Sequence, residues 1–270
     1  MDVSSKTIHY PIRIGCWQRR KKKNSMQKKI KNHKLKLSRK VQLELVYIKP
    51  GTFIMGDSNY GRHQVTLTKG FWMGKYEVTR AQYREVMKCN HPFFERADLP
   101  MVQVSWDEAK AFCAKLTEIE KEVGSLPEGY EYTLPTEAQW EYACRAGITS
   151  DQNSDTDISD WDKYVEMLND DGWYCVGTGV MPQRVGREEP NAWGLYDMHE
   201  NVWEWCLDWD GDYPTTAVID PVGPATGSRR VLRGCDWKQT ENGLRQGYRD
   251  SHDPSDRCNT IGFRVVLTLV

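Results

Sequence analysis

An α+β fold is the class this sequence predicts, on three observations. Segments rich in β-branched and aromatic residues, alternating or continuously apolar as strands are, stand toward both ends of the chain. Three helix starts, each with a reciprocal capping pair, stand between them. Finally, 11 Trp, 13 Tyr and 6 Phe in 270 residues favour one substantial core. Each buried aromatic removes on the order of 150–250 Å² from water.

The elements follow in order. Residues 41–56 (VQLELVYIKPGTFIMG) read as a hairpin broken at Pro50-Gly51. Residues 65–68 and 71–78 continue as strands and lead into a helix. Thr79-x-x-Gln82, Ser105-x-x-Glu108 and Thr136-x-x-Gln139 each fit a capping box, in which the hydroxyl accepts the N3 amide and the N3 side chain returns to the cap amide. Behind them Tyr83, Val86 and Met87, then Ala109, Phe112, Cys113 and Leu116, then Trp140, Ala143 and Cys144 recur at the spacing of a buried helix face. Residues 148–171 are acidic and polar and read as an irregular insertion with a short helix around Trp161 to Leu168. Residues 230–233 and 262–267 read as two closing strands.

The net charge of −1 hides an asymmetry, because residues 1–40 hold 14 Lys and Arg against the single acid Asp2. This stretch reads as a disordered basic arm, and residues 41–270 as the folded domain. Apart from that arm no nucleic-acid site stands out. No stretch approaches the roughly 18 apolar residues of a membrane helix, and none forms a signal-peptide apolar region. A cytoplasmic monomer is the default expectation, with display at the cell surface as the alternative if the N-terminus is misassigned. The eight cysteines form no C-x-x-C pair, and the six histidines, among them His63, His199 and His252, show no clustered ligand spacing.

The order of motifs is specific. Tyr47-Ile48-x-x-Gly51-Thr52-Phe53-x-Met55-Gly56, Tyr76-Glu77-Val78-Thr79, Leu134-Pro135-Thr136-Glu137-Ala138-x-Trp140-Glu141-Tyr142-Ala143, Asn201-Val202-Trp203-Glu204-Trp205 and Ile261-Gly262-Phe263-Arg264 resemble the sulfatase-modifying-factor family, across residues 41–270. The resemblance implies a C-type-lectin-like fold of the formylglycine-generating-enzyme kind, with two small sheets, two main helices and extensive loops. It also implies a structural calcium site to which Asn201 and Glu204 contribute, although Glu200 stands where the family has Gly. Asp208, Asp210 and Asp212 form a D-x-D-x-D run that lacks the later Gly and Glu of a calcium loop. A solvated loop and a calcium loop are both open readings of it.

Formylglycine-generating enzymes hold copper(I) with two cysteines five residues apart, after an Arg-Gly-Gly-Ser-Trp/Tyr motif. The matching positions here are Gln239 and Leu244. An amide oxygen is a hard donor and leucine has none, so neither replaces a soft thiolate. No catalytic residue is therefore assigned. The competing reading, a copper oxidase acting on a protein cysteine, would need Cys235 with Cys258 or Cys206 as ligands.

A second branch of the resemblance is the variable proteins of diversity-generating retroelements, whose C-terminal segment is rewritten at adenine positions on the same scaffold. Residues 237–260 resemble such a segment, framed by Arg233, Trp237, Arg249, Pro254, Arg257 and Gly262-Phe263-Arg264. Many residues within it are reachable from Asn codons by changing adenines alone. The expected function is non-catalytic recognition of a protein or surface ligand through Lys238, Gln239, Thr240, Asn242, Gln246, Tyr248, Asp250, Ser251, His252, Asp253, Asp256, Asn259 and Thr260. A structural scaffold without a ligand is the third reading.

Overall fold

The computed structural model describes residues 32–89, 96–147, 182–236 and 246–270. Twelve strands and three helices are described, and the strands form sheets of five, four and three. The five-stranded sheet runs β1 (His33–Lys36), β2 (Gln42–Ile48), β5 (Phe71–Gly74), β12 (Val266–Leu269) and β6 (Tyr130–Thr133). The four-stranded sheet runs β10 (Arg249–His252), β9 (Arg230–Arg233), β7 (Trp203–Trp209) and β11 (Ile261–Gly262). A third sheet, β3 (Gly51–Met55), β4 (His63–Leu67) and β8 (Val218–Ile219), adds to the two expected from the sequence. The fold is α+β, as predicted.

All three predicted capping boxes are present, on α1 (Arg80–Met87), α2 (Trp106–Glu122) and α3 (Glu137–Arg145). Local chemistry places these helix starts, because cap and N3 residue lie three apart in the chain and need no tertiary partner. On α2 the predicted stripe of Ala109, Phe112, Cys113 and Leu116 is fully buried. It packs with Tyr83, Trp203, Trp205, Leu232 and Phe263 in one apolar cluster. A second cluster gathers Phe53, Val65, Phe71, Trp140, Ala143 and Val231.

The fold starts upstream of the boundary expected at residue 41. Strand β1 pairs antiparallel with β2, with His33 opposite Leu45 and Leu35 opposite Leu43. In the sequence His-Lys-Leu-Lys, alternation sends Leu35 into the core while Lys34 and Lys36 stay exposed. The high charge of this stretch therefore coexists with a strand. Residues 1–31 of the proposed arm, and the helix expected over 161–168, lie outside the described residues.

Strand β12 lies between β5 and β6, so the last residues of the chain are central to the largest sheet. Just before it, β11 pairs parallel with β7, placing Gly262 beside Glu204. A Cβ on Gly262 would stand 2.7 Å from the Met101 carbonyl oxygen. Only glycine fits there, and this close approach sets the position of the Arg264 side chain two residues on.

Candidate functional site

The segment that frames the expected recognition surface is held by buried arginines. Arg264 donates from Nε to Glu204 Oε2 and from Nη2 to Oε1, at 2.6 Å each, and both side chains are fully buried. The Trp140 indole donates to Glu204 Oε2 at 2.8 Å. Arg249 reaches Glu137 with Nε at 2.8 Å and Nη2 at 3.0 Å, and lies 3.1 Å from Asp210. Arg233 is fully buried and pairs with Glu141 and with Glu137. Glu137, Trp140 and Glu141 all come from the Thr136-Glu137-x-x-Trp140-Glu141 motif that opens α3, so one helical turn anchors three separate parts of the C-terminal half.

Alternation along β10 divides the candidate residues between two faces. Arg249 and Ser251 share the face that meets these carboxylates. Ser251 is buried, donates its hydroxyl to Asp210 at 2.8 Å and accepts from Arg229 Nε at 3.0 Å. Its hydroxyl is therefore committed to the interior, a correction to its expected role as a ligand contact. Asp250 and His252, both half-buried, take the opposite face, where Tyr248 packs on Trp203 with ring centroids 5.6 Å apart.

Beyond β10 the chain folds over the N-terminus of α2. Trp106 donates its amide to the Pro254 carbonyl at 3.0 Å, Gln103 to Cys258 at 2.9 Å, and Arg257 reaches Glu108 at 3.0 Å. On this loop Asp253 and Asn259 are exposed, and His252 Nδ1 lies 2.9 Å from Asp256 Oδ2. Thr260 is half-buried, and its carbonyl accepts the Trp203 amide at 2.8 Å. Gln246 Oε1 accepts a long 3.4 Å bond from Arg145. Lys238, Gln239, Thr240 and Asn242 lie outside the described residues. One neighbour was not foreseen: Tyr60 donates its hydroxyl to the Arg249 carbonyl at 3.2 Å, bringing the turn after β3 to this segment. No sequence signal marks that contact, since its partners lie 189 positions apart.

Asn201 and Glu204 do not fit the calcium role expected of them. Both oxygens of Glu204 are taken by Arg264 and Trp140, while Asn201 donates to Glu77 at 2.6 Å and accepts the Gln183 amide at 2.9 Å. The D-x-D-x-D run is a solvated loop only in part, with Asp212 exposed on it. It begins on β7, where Asp208 accepts the Glu137 amide at 2.8 Å and so caps α3 from a distance, while Asp210 faces Arg249. Among the described residues no group of three His, Cys, Asp or Glu is placed to hold a metal ion.

Burial sets the protonation of the acids left near these networks. It pushes Asp208 up to about 7, aided by the Glu137 carboxylate, and Asp197 up to about 6. Burial and then Glu188 push Glu200 up to about 7, and burial with Asp197 raises Glu77 well above the usual carboxylate range. The thiols respond likewise: burial and then Asp236 push Cys235 up to about 12, and burial and then Asp208 hold Cys206 well above the usual thiol range.

The family model described as the sulfatase-modifying factor enzyme 1-like domain matches residues 31–269. The chain is 27% identical over 265 residues to chaperone protein LppX of Paenibacillus barcinonensis, covering 83% of this chain and 89% of that one. It is 32% identical over 205 residues to the formylglycine-generating enzyme of Streptomyces coelicolor, covering 69% of this chain but 58% of the enzyme. Among solved structures, Treponema denticola variable protein 1 superposes with a TM-score of 0.71 at 27% identity, over 87% of this chain and 98% of that one. PvdO from Pseudomonas aeruginosa shares the fold, with a TM-score of 0.64 at 24% identity, over 89% of this chain and 100% of PvdO. No helix among the described residues is long and apolar enough to cross a membrane.

Proposed function

We propose, from the premise that this chain belongs to the sulfatase-modifying factor enzyme 1-like domain family, that it is a non-catalytic recognition protein whose C-terminal segment is a diversified binding surface. The observation that carries this reading is the division of labour within the segment. Arg233, Arg249 and Arg264 are enclosed in ion pairs with Glu141, Glu137 and Glu204. Tyr248, Asp250, His252, Asp253, Asp256 and Asn259 are exposed or half-buried beside them. Rigid framing with varied donors and acceptors at the surface is the arrangement that recognition loops require.

The resemblance to Treponema denticola variable protein 1 over nearly its whole length supports the same reading. The replacement of both copper cysteines by Gln239 and Leu244 argues against the oxidase chemistry of the formylglycine-generating relatives. The burial of Cys235 and Cys206 argues against a rescue by other thiols.

Deep sequencing of the 3′ end of the gene across a clonal culture tests the proposal. The expected result is substitution at adenines of codons 250, 252, 253, 256 and 259, none at codons 233, 249 or 264, and a near-copy of the segment in the adjoining DNA. An unchanging segment with no such copy would overturn the diversified reading.

A further inference from the structure

A cleft of 390 Å³ opens between β4, the N-terminal turn of α3 and the chain from Trp209 to Pro224. Its mouth is apolar. Ile219 and Val222, beside Pro221 and Pro224, are 69% and 61% exposed, among the most exposed large hydrophobic residues described. Apolar side chains gathered around the mouth of a concave site, unlike ones scattered singly, mark a candidate ligand site.

The floor is polar and incompletely satisfied. Glu137 is saturated by Arg249, Arg233 and the Tyr213 hydroxyl, which donates to it at 2.7 Å. His63, in contrast, is only 6% exposed, packs its ring on Tyr213 at 5.0 Å, and leaves Nδ1 without a hydrogen-bond partner. Burial lowers its pKa, so the ring stays neutral and offers an acceptor nitrogen. A half-turn of the ring about Cβ–Cγ changes its shape little and swaps which edge meets the cleft. A buried polar atom left unpaired costs free energy and calls for an explanation.

Asp208, 4% exposed, accepts the Glu137 amide on Oδ2 and a bond from its own backbone amide, while no side-chain donor reaches the carboxylate among the described residues. Gly223, at φ +73°, packs closely against it: a Cβ there would stand 2.9 Å from Asp208 Cβ and 3.2 Å from Oδ1, so a side chain at 223 would crowd the carboxylate. Of the carboxylates in the lining, Glu137 is offset by Arg249 and Arg233, so the negative charge left for a ligand is that of Asp212 and, above about pH 7, of Asp208. An unpaired His63 nitrogen, carboxylates at Asp208 and Asp212 that no side-chain cation among the described residues neutralises, and an apolar collar together select a nitrogen donor carrying positive charge on an apolar body.

We propose that this cleft is a second binding site, for a primary ammonium group on a short apolar chain, with His63 and Asp208 as its acceptors. The site uses none of the outward-facing side chains of the C-terminal segment, so it stands or falls separately from the recognition reading. Such a group is carried by free alkylamines and by lysine side chains of proteins, which share this chemistry.

The test is titration of the full chain at pH 8, followed through the ring signals of Tyr213, which lines the cleft beside His63, by NMR, with n-butylammonium, n-butanol, butyrate and Nα-acetyl-lysine N-methylamide as probes. n-Butylammonium is expected to shift those signals with a dissociation constant of about 1 mM, the strength a ligand of this size can reach. Butanol and butyrate should bind at least about tenfold more weakly, and His63→Phe should weaken the ammonium by about tenfold, from loss of one hydrogen bond to a charged donor. If His63→Phe does not fold, Asp208→Asn, which keeps an oxygen for the Glu137 amide, reads the same loss through the same signals. Binding of the blocked lysine assigns the site to a protein partner, and binding of the free amine alone assigns it to a small molecule. The proposal is overturned if n-butylammonium leaves the Tyr213 signals unmoved, if butanol binds as well as the ammonium, or if the folded variant binds undiminished.

Discussion

Arg264 and Glu204 face each other through two contacts of 2.6 Å, both side chains fully excluded from solvent, and this pair ties the end of the recognition segment to the central strand β7. Two charges so deep repay their desolvation only while each has the other. Removing one leaves the other stranded. Arg264→Ala is expected to cost about 3–5 kcal/mol, enough to unfold a domain of ordinary stability. Urea denaturation measures this, and a loss under about 1 kcal/mol would show that the pair does not bear on stability.

The two faces of β10 should respond differently to substitution. Ser251→Val strands the Asp210 and Arg229 partners of the hydroxyl and is expected to destabilise by about 1–3 kcal/mol. Asp250→Ala gives up one bond, from the Ser251 amide to Asp250 Oδ1, and should cost no more than about 1 kcal/mol, while Asn259→Ala at an exposed position should stay within about 0.5 kcal/mol of the parent. The same denaturation experiment compares all three.

Stability should fall as pH rises from about 5 to about 7. Asp208, Asp197, Glu200 and Glu77 have folded-state pKa values raised above their ordinary ones, so the stability they contribute is full at low pH and lost as each ionises. His199, lowered to about 4 by burial, and His63 work in the opposite sense, because the unfolded chain gains their protons first as pH falls. Four acids outweigh two histidines in the proton count. Thermal melts across this range should show the decline, and Asp208→Asn should flatten it.

Native-state thiol chemistry should divide the cysteines by burial. Cys206 and Cys235 are enclosed and their thiols held neutral, so iodoacetamide is expected to reach them only on unfolding. Cys89 and Cys258 are partly exposed and should react first. Mass spectrometry of the alkylated native protein reads the order, and rapid modification of Cys235 would contradict the buried placement.

The sequence made some of this structure legible and hid the rest for physical reasons. Helix starts were readable because each capping box closes within four residues. The α2 stripe was readable because its period is local. The ion pairs were not, because Arg264 and Glu204 lie 60 positions apart, and Arg249 and Glu137 lie 112 apart. Leu35 was hidden in a run of lysines whose charge suggested an arm, although its two-residue alternation is that of a strand. Asp208 and Asp210 looked like metal ligands because the spacing of carboxylates says nothing of which neighbours they meet. One of them caps a helix and the other faces an arginine. Ser251 was chosen with its neighbours by chemistry, and only strand alternation separates it from Asp250 and His252.

The most direct test of a framework bearing a changeable surface is a pair of libraries displayed on cells and challenged with protease. One randomises Asp250, His252, Asp253, Asp256 and Asn259, and the other randomises Glu204, Arg233, Arg249 and Arg264. The account predicts that most members of the first library resist cleavage as the parent does, while nearly all members of the second are degraded. Equal loss in both libraries would contradict it, because a surface that cannot vary without unfolding the domain cannot serve as a diversified site of recognition.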